Sequence, residues 1–311
     1  MRELPLSAVL VFSLAGASIC AAGAQGASRG FSSAGVRYVC PMHADVRSGI
    51  AGTCPICKMR LIPRSTRLGN YRMEVQTVPD PPVAGQLTSL GLLVRDPHSQ
   101  ARVRDFELLH DRFLHLFVVS QDLEFFAHVH PHLDPDGQLS TDLVLPRPAM
   151  YEMYADFTPA GGTPQLLQRG VIVKGARASV VDGRVHLSPD LASKIDGSVR
   201  VGIHAPDIVA GRQQLLTFSV ENAETGEPVR DLEPYLGAQA HLFSVSDDLA
   251  DAFHSHPIAE VSSATGPDVS FQVAFSRAGA HRVWVQMQRA GRVSTVAFTV
   301  PVLPAPQDKS D

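Results

Sequence analysis

The stretch Leu114-His115-Leu116-Phe117-Val118-Val119-Ser120, continued through Asp122-Leu123 to His128-Val129-His130-Pro131, returns 126 positions later. The second copy reads Ala240-His241-Leu242-Phe243-Ser244-Val245-Ser246, then Asp248-Leu249 and His254-Ser255-His256-Pro257. The match runs without a gap from Gly85 on Gly211 to Pro131 on Pro257, with Val94 on Val220, Arg104-Asp105 on Arg230-Asp231 and Glu107 on Glu233. Self-similarity of this length marks a duplicated domain, and one physical account has to serve both copies.

Both copies alternate short apolar runs with polar turns. The first has strand candidates at Thr88 to Val94, Leu114 to Val119 and Met150 to Phe157, with the strong turn Asp134-Pro135-Asp136-Gly137. The second has Leu215 to Val220, Ala240 to Val245, Val283 to Met287 and Ser294 to Val300, with turns at Glu224-Thr225-Gly226-Glu227 and Arg289-Ala290-Gly291-Arg292. Blocks of about 95 residues built from short strands bury a core only by facing two sheets together. The fold class that follows is mostly β: a small metal-binding knuckle, then two tandem immunoglobulin-like β-sandwich domains related by internal duplication. Neither copy has the Cys-Trp-Cys pattern of an antibody domain, and Trp284, between Val283 and Val285, is read as a core residue.

Upstream of the repeats lie Tyr38-Val39-Cys40-Pro41-Met42-His43 and, after ten residues, Cys54-Pro55-Ile56-Cys57-Lys58-Met59. Cys40-x-x-His43 and Cys54-x-x-Cys57 each bring two donors within reach of one ion, and three thiolates with one imidazole suit zinc or Cu(I). Disulfides or free thiols are the competing reading. Gly49, Gly52 and Thr53 lie where the chain turns back, and Pro41 and Pro55 stiffen the arms. So small a segment lacks a sufficient core, and metal would supply much of its folding energy. Met42 and Met59 are read as packing or as soft additional donors.

The pattern Y-x-C-P-M-H through C-P-x-C-x-M-x-L, ending at Leu61, resembles the small heavy-metal-binding domain of copper and heavy-metal efflux systems. The resemblance covers residues 36 to 64 and implies metal ligation by Cys40, His43, Cys54 and Cys57. Ala44 and Ala51-Gly52 stand where that family carries proline after the histidine and Pro-Gly before the second arm. The block Leu114 to Pro131, its partner from Tyr235 to Pro257, and the closing Val283-Trp284-Val285-Gln286 with Val296 to Val300 resemble a group of extracytoplasmic proteins. Members of that group accompany heavy-metal-binding modules and copper-resistance genes.

Leu4 to Ile19 is apolar, follows Arg2, and ends near Ala22-Gly23-Ala24, the pattern of a cleaved secretory signal. Acylation at Cys20 is the alternative, with Ile19 a poor preceding residue. No later run reaches 18 apolar residues, so no anchor is expected after cleavage and the destination is the periplasm or the exterior. Loss of Cys20 leaves three cysteines, an odd number that favours metal ligation over a disulfide framework. With 27 Lys and Arg against 31 Asp and Glu, the net charge of −4 argues against nucleic acid as a partner. The domain reading is residues 1–24 signal peptide, 35–66 metal module, 80–180 first sandwich, 181–198 linker, 199–302 second sandwich and 303–311 disordered tail. Val78-Pro79-Asp80-Pro81-Pro82 is read as the proline-rich boundary ahead of the first sandwich, and Val181 to Val185 as a hairpin.

The recurring histidines carry the remaining chemistry. His128 and His130, and again His254 and His256, are two apart, so in an extended chain each pair leaves the same face. His115 or His241 sits thirteen residues ahead of each pair, on a strand expected to lie beside it. The physical reading is, in each domain, a site of three imidazoles, or of two imidazoles plus one other donor, open on one side and suited to Cu(II), zinc or nickel, or to Cu(I) if Met150, Met153 or Met287 approaches. His132 and His281 are additional histidines near the first and second sets. The competing reading makes His115 and His241 buried structural histidines, bonded to backbone or to Asp105 and Asp231, with His-x-His-Pro capping a loop. His98, His110, His186 and His204 have no counterpart in the repeat.

No Gly-x-Ser-x-Gly, phosphate-binding glycine loop or His-Glu-x-x-His is present. Ser120 and Ser246, each two residues ahead of an aspartate, are read as turn caps, and Asp247-Asp248 are adjacent rather than flanking a substrate. The function expected is a non-enzymatic extracytoplasmic protein that binds copper or zinc for sequestration or handover to an efflux or metal-acceptor partner. The alternatives are an adhesion or assembly protein with a structural metal staple, and a metal-dependent oxidoreductase.

Overall fold

The computed structural model describes residues 38–39, 47–54, 61–63, 71–108, 112–175, 185–258 and 268–306. The signal-peptide segment with Cys20, the knuckle residues Cys40, Met42, His43, Cys57 and Met59, His110, residues 181–184 of the expected hairpin and residues 307–311 of the tail lie outside the described residues. Every regular element among the described residues is a strand. Among the described residues, no helix is long and apolar enough to cross a membrane.

The amino-terminal module is a three-stranded sheet of β1 (Tyr38–Val39), β2 (Arg47–Ser48) and β3 (Ile62–Pro63), with β1 central. Tyr38 pairs with Ser48 on one side and Pro63 on the other. Cys54 and Leu61 are buried with Tyr38 packed on them, and the Leu61 amide donates to the Gly52 carbonyl at 2.8 Å.

The first repeat contains β4 (Arg72–Val78), β5 (Leu87–Arg95), β6 (Leu114–Ser120), β7 (Phe126–Val129), β8 (His132–Leu133), β9 (Gln138–Val144), β10 (Met150–Phe157) and β11 (Gln165–Ile172). They form two antiparallel sheets, β4-β5-β9-β8 and β11-β10-β6-β7. Period-two patterning turns Leu90, Leu92 and Val94 of β5 and Leu139 and Leu143 of β9 inward. They meet Leu114, Leu116, Val118, Tyr151, Met153, Ala155 and Phe157 from the other sheet. Asp134 organises the β8–β9 turn by accepting from the Asp136 and Gln138 amides at 3.0 and 2.8 Å, while Gly137 takes the left-handed conformation at φ 81°.

The second repeat contains β12 (Lys194–Asp196), β13 (Val199–His204), β14 (Ile208–Val209), β15 (Gln214–Asn222), β16 (Ala240–Ser246), β17 (Ala252–Ser255), β18 (Asp268–Val273), β19 (Gly279–Arg289) and β20 (Arg292–Leu303). Its sheets are β12-β13-β15-β18 and β14-β20-β19-β16-β17, with β14 and β20 parallel. Strands β16 and β17 repeat β6 and β7 with the same bounds shifted by 126, and β10 and β11 have their counterparts in β19 and β20. Phe218, Phe271 and Phe298 lie in its core with the valines and leucines of both sheets.

Two boundaries differ from the sequence reading. Strand β4 pairs along its whole length with β5, so the first repeat's sheet begins ahead of residue 80, and the proline cluster lies inside the domain as the link from β4 to β5. Within the expected linker of 181–198, Lys194–Asp196 is a sheet strand, paired with β13.

Strands β6 and β16 are buried on both faces, and this places the two repeats against each other. Leu114, Leu116 and Val118 enter the first repeat's core; Phe117 and Val119 point the other way and meet Phe243 and Val245 of β16. The Phe117 and Phe243 rings stack with centroids 4.0 Å apart and planes 9° apart. Trp284 stacks on Phe126 of the other repeat at 4.8 Å, so it serves this junction rather than its own domain's core. Leu123 and Leu249, equivalent in the repeat, both take left-handed backbone at φ 59° and 61° and bury their side chains in the junction. The Tyr154 hydroxyl donates across it to the Leu249 carbonyl at 2.9 Å.

Candidate metal centre

Two residues along β6 and β16 from the stacked phenylalanines, the same faces carry His115 and His241. Antiparallel pairing sets β7 beside β6 and β17 beside β16, which brings in His128 opposite Phe117 and His254 opposite Phe243. His130 and His256 follow two residues on. Six imidazoles thus gather in one cluster across the junction. Ring centroids are 5.3 Å apart for His115 and His128, 4.6 Å for His115 and His130, 5.5 Å for His241 and His254, and 4.3 Å for His254 and His256. Between repeats, His115 lies 5.0 Å from His254 and 5.8 Å from His241, and His128 lies 5.1 Å from His241. Ligand atoms of His115, His128 and His130, and likewise of His115, His241 and His254, all fall within 4.8 Å of one another.

The contacts between ring nitrogens repeat as well. His115 Nδ1 faces His128 Nε2 at 3.1 Å, and His241 Nδ1 faces His254 Nε2 at 3.2 Å. The far nitrogen of each His-x-His leader is held by the opposite repeat: His128 Nδ1 meets Gln286 Oε1 at 3.0 Å, and His254 Nδ1 meets Asp156 Oδ2 at 2.8 Å. These two acceptors are themselves equivalent, since Asp156 lies opposite His115 in the β6–β10 register and Gln286 opposite His241 in the β16–β19 register. The Gln286 amide nitrogen donates to Thr295 Oγ1 at 2.9 Å, which turns its oxygen toward His128. His241 Nε2 donates to the Tyr235 carbonyl at 2.8 Å, His130 Nε2 lies 3.0 Å from His115 Nδ1, and Arg112 Nε donates to His130 Nδ1 at 2.9 Å.

Burial first, and then the neighbouring imidazoles, hold His128 and His254 well below the ordinary histidine range. Burial with the Arg112 charge brings His130 down to about 4. Removal of its carboxyl from water pushes Asp156 up to about 7. His128, His130 and His254 are therefore neutral imidazoles near neutral pH. That is the state in which histidine binds zinc, copper or nickel.

The sequence reading gave each domain its own shell, whereas the structure pools both triplets at the junction. Of the knuckle residues, Cys54 is placed and buried; Cys40, His43 and Cys57 fall outside the described residues. Asp231 is not the partner of His241: it accepts from Arg289 Nε at 2.9 Å, and His241 uses a backbone carbonyl. Met153 and Met287 face their own cores, while Met150 borders the junction. His281 donates to the Arg277 carbonyl at 3.2 Å and packs on Phe275, and His98, His132, His186 and His204 are exposed. Ser120 and Ser246 cap their turns, accepting from the Phe125 and Asp251 amides at 2.9 Å each and donating to Asp122 and Asp248. Asp156 and Gln286 were missed from sequence, although polar groups inside the apolar strands Met150–Phe157 and Val283–Met287 signal a second buried face.

A family model described as a heavy metal binding domain matches residues 37–64. A second, a domain of unknown function (DUF8832), matches twice, at residues 66–174 and 193–303. No curated protein matches the chain. Among solved structures, the adhesin FdeC of Escherichia coli is similar at 15% identity over 78% of this chain and 67% of its own, with a TM-score of 0.24. InvD of Yersinia pseudotuberculosis is similar at 12% identity over 77% of this chain, with a TM-score of 0.25. The three N-terminal domains of the highly immunogenic outer capsid protein of bacteriophage RB49 are similar at 10% identity over 75%, with a TM-score of 0.21. The chain spans 59% of each of these last two.

Proposed function

We propose that this chain, which belongs to the DUF8832 family and carries a heavy metal binding domain ahead of two copies of that family's domain, is an exported protein that binds copper or zinc and holds it for sequestration or handover. The observation that carries the reading is the gathering of six histidines, of which His128, His130 and His254 are held neutral, downstream of a module that matches a heavy metal binding domain. Soft thiolates in the module and borderline imidazoles at the junction form two donor sets that differ in hardness. An ion exchanging between such sets moves by ligand substitution, which suits transfer to an efflux or acceptor protein. The apolar run Leu4 to Ile19 supports export, and the near-neutral charge supports a partner other than nucleic acid.

Metal content of the full chain, isolated without added metal, tests this. More than one ion per chain is expected, with part of the content lost in Cys57→Ala and a separate part lost in His128→Ala combined with His254→Ala. A single ion abolished by Cys57→Ala and indifferent to the histidine changes would reduce the metal to a folding staple. Turnover of oxygen with a reductant by the copper-loaded chain would instead favour an oxidoreductase.

A further inference from the structure

The hydrogen-bond partners of the junction histidines assign their tautomers, and the assignment has a chemical consequence. With Asp156 ionised, its carboxylate oxygen and the Gln286 amide oxygen only accept, so the Nδ1 atoms of His254 and His128 that face them carry the ring protons. The Tyr235 carbonyl likewise places the His241 proton on Nε2. A neutral imidazole has one proton, so the nitrogens left bare are His128 Nε2, His254 Nε2 and His241 Nδ1. At His130, Arg112 donates to Nδ1, which leaves its proton on Nε2 facing His115 Nδ1, and that atom is bare too.

Each repeat therefore aims two lone pairs at one another, His115 Nδ1 at His128 Nε2 across 3.1 Å and His241 Nδ1 at His254 Nε2 across 3.2 Å. Two lone pairs at that distance make no hydrogen bond, and in a buried site they repel. A cation between them removes the conflict. Two nitrogens 3.1 to 3.2 Å apart, each about 2.0–2.1 Å from a metal ion, subtend roughly 100° at it, close to the tetrahedral angle.

We propose, building on the metal-binding reading above, that the junction is a two-seat centre for borderline divalent ions, one seat made by His115 Nδ1 with His128 Nε2 and the other by His241 Nδ1 with His254 Nε2, and that the second seat is the tighter. A third imidazole stands beside each pair, His130 at the first and His115 at the second. The inequality follows from two positions. Asp156 is a positioning residue whose carboxylate, bonded to the Nδ1 proton, makes His254 a more basic ligand, whereas its counterpart Gln286 is an uncharged amide. At the first seat the His130 Nε2 proton also competes for the His115 lone pair.

The test is nitrogen-15 NMR of the histidines in the full-length chain, first free of metal and then titrated with zinc(II). The metal-free spectrum is expected to show Nδ1-protonated His128 and His254 and Nε2-protonated His241. Zinc is expected to shift the four bare nitrogens in two steps, His241 and His254 first. Asp156→Asn, which keeps an accepting oxygen and removes the charge, is expected to weaken the second seat about 10–100-fold and leave the first unchanged. Gln286→Glu is expected to tighten the first seat alone. An Nε2-protonated His254, a single-step titration, or an Asp156→Asn effect spread equally over both seats overturns the proposal. Zinc that binds the chain without moving these resonances overturns it while leaving the metal-binding reading in place; zinc that binds nowhere overturns both.

Discussion

Each His-x-His leader at the junction is held by a residue of the other repeat, and this makes the cluster's protonation a matter of folding. In the unfolded chain these histidines take up protons as pH falls below about 6.5, while the folded chain refuses them until lower pH, about 4 for His130. The unfolded state binds more protons in that window, so stability is lost as pH falls from about 6.5 to about 4. Asp156, raised to about 7, acts in the opposite sense, losing stability as pH rises from about 4 to about 7, but it is one group against His128, His130 and His254. Urea midpoints of the metal-free chain should therefore drop between pH 6.5 and 4, and Asp156→Asn should steepen the drop. A flat profile would mean the imidazoles are solvated. The histidines themselves were legible because they recur; their partners were not, because Asp156 and Gln286 are different residue types at equivalent positions, so the repeat does not mark them.

At the level of single elements, β6 and β16 do two tasks at once. Their alternate residues fill a domain core on one side and the junction on the other, and a run such as Leu114 to Val119, apolar but for His115, is the mark of a strand buried on both faces. The run was read as a strand from sequence, yet its second buried face was not, since one covered by a second domain reads the same as one covered by a neighbouring sheet. The hairpin between β19 and β20 was legible from Ala290-Gly291, and both residues have positive φ, at 50° and 72°. Left-handed backbone is costly for alanine and tolerated by asparagine, so Ala290→Asn should stabilise the chain by up to about 1 kcal/mol. Thermal unfolding will measure this, and an unchanged or lowered midpoint would contradict the turn assignment.

Across the molecule, the histidine cluster exists only while the two repeats are docked, so an ion bound there and the junction packing would stabilise one another. Truncation of a buried phenylalanine commonly costs about 3–5 kcal/mol. Phe117→Ala, which removes the ring stacked 4.0 Å from Phe243, should split a single melting transition into two and weaken zinc at both seats without touching a ligand. Excess zinc should merge the transitions again; calorimetry with and without zinc decides it. The placement of one repeat on the other was beyond sequence, because neither copy's pattern says which surface its twin covers. Like surfaces meeting about an approximate twofold axis are the geometry of a homodimer. A homodimer of one such repeat would have to carry the same residue at both positions held here by Asp156 and Gln286. Covalent linkage of the two repeats lifts that obligation, which lets a carboxyl and an amide stand at equivalent positions on opposite sides of one junction.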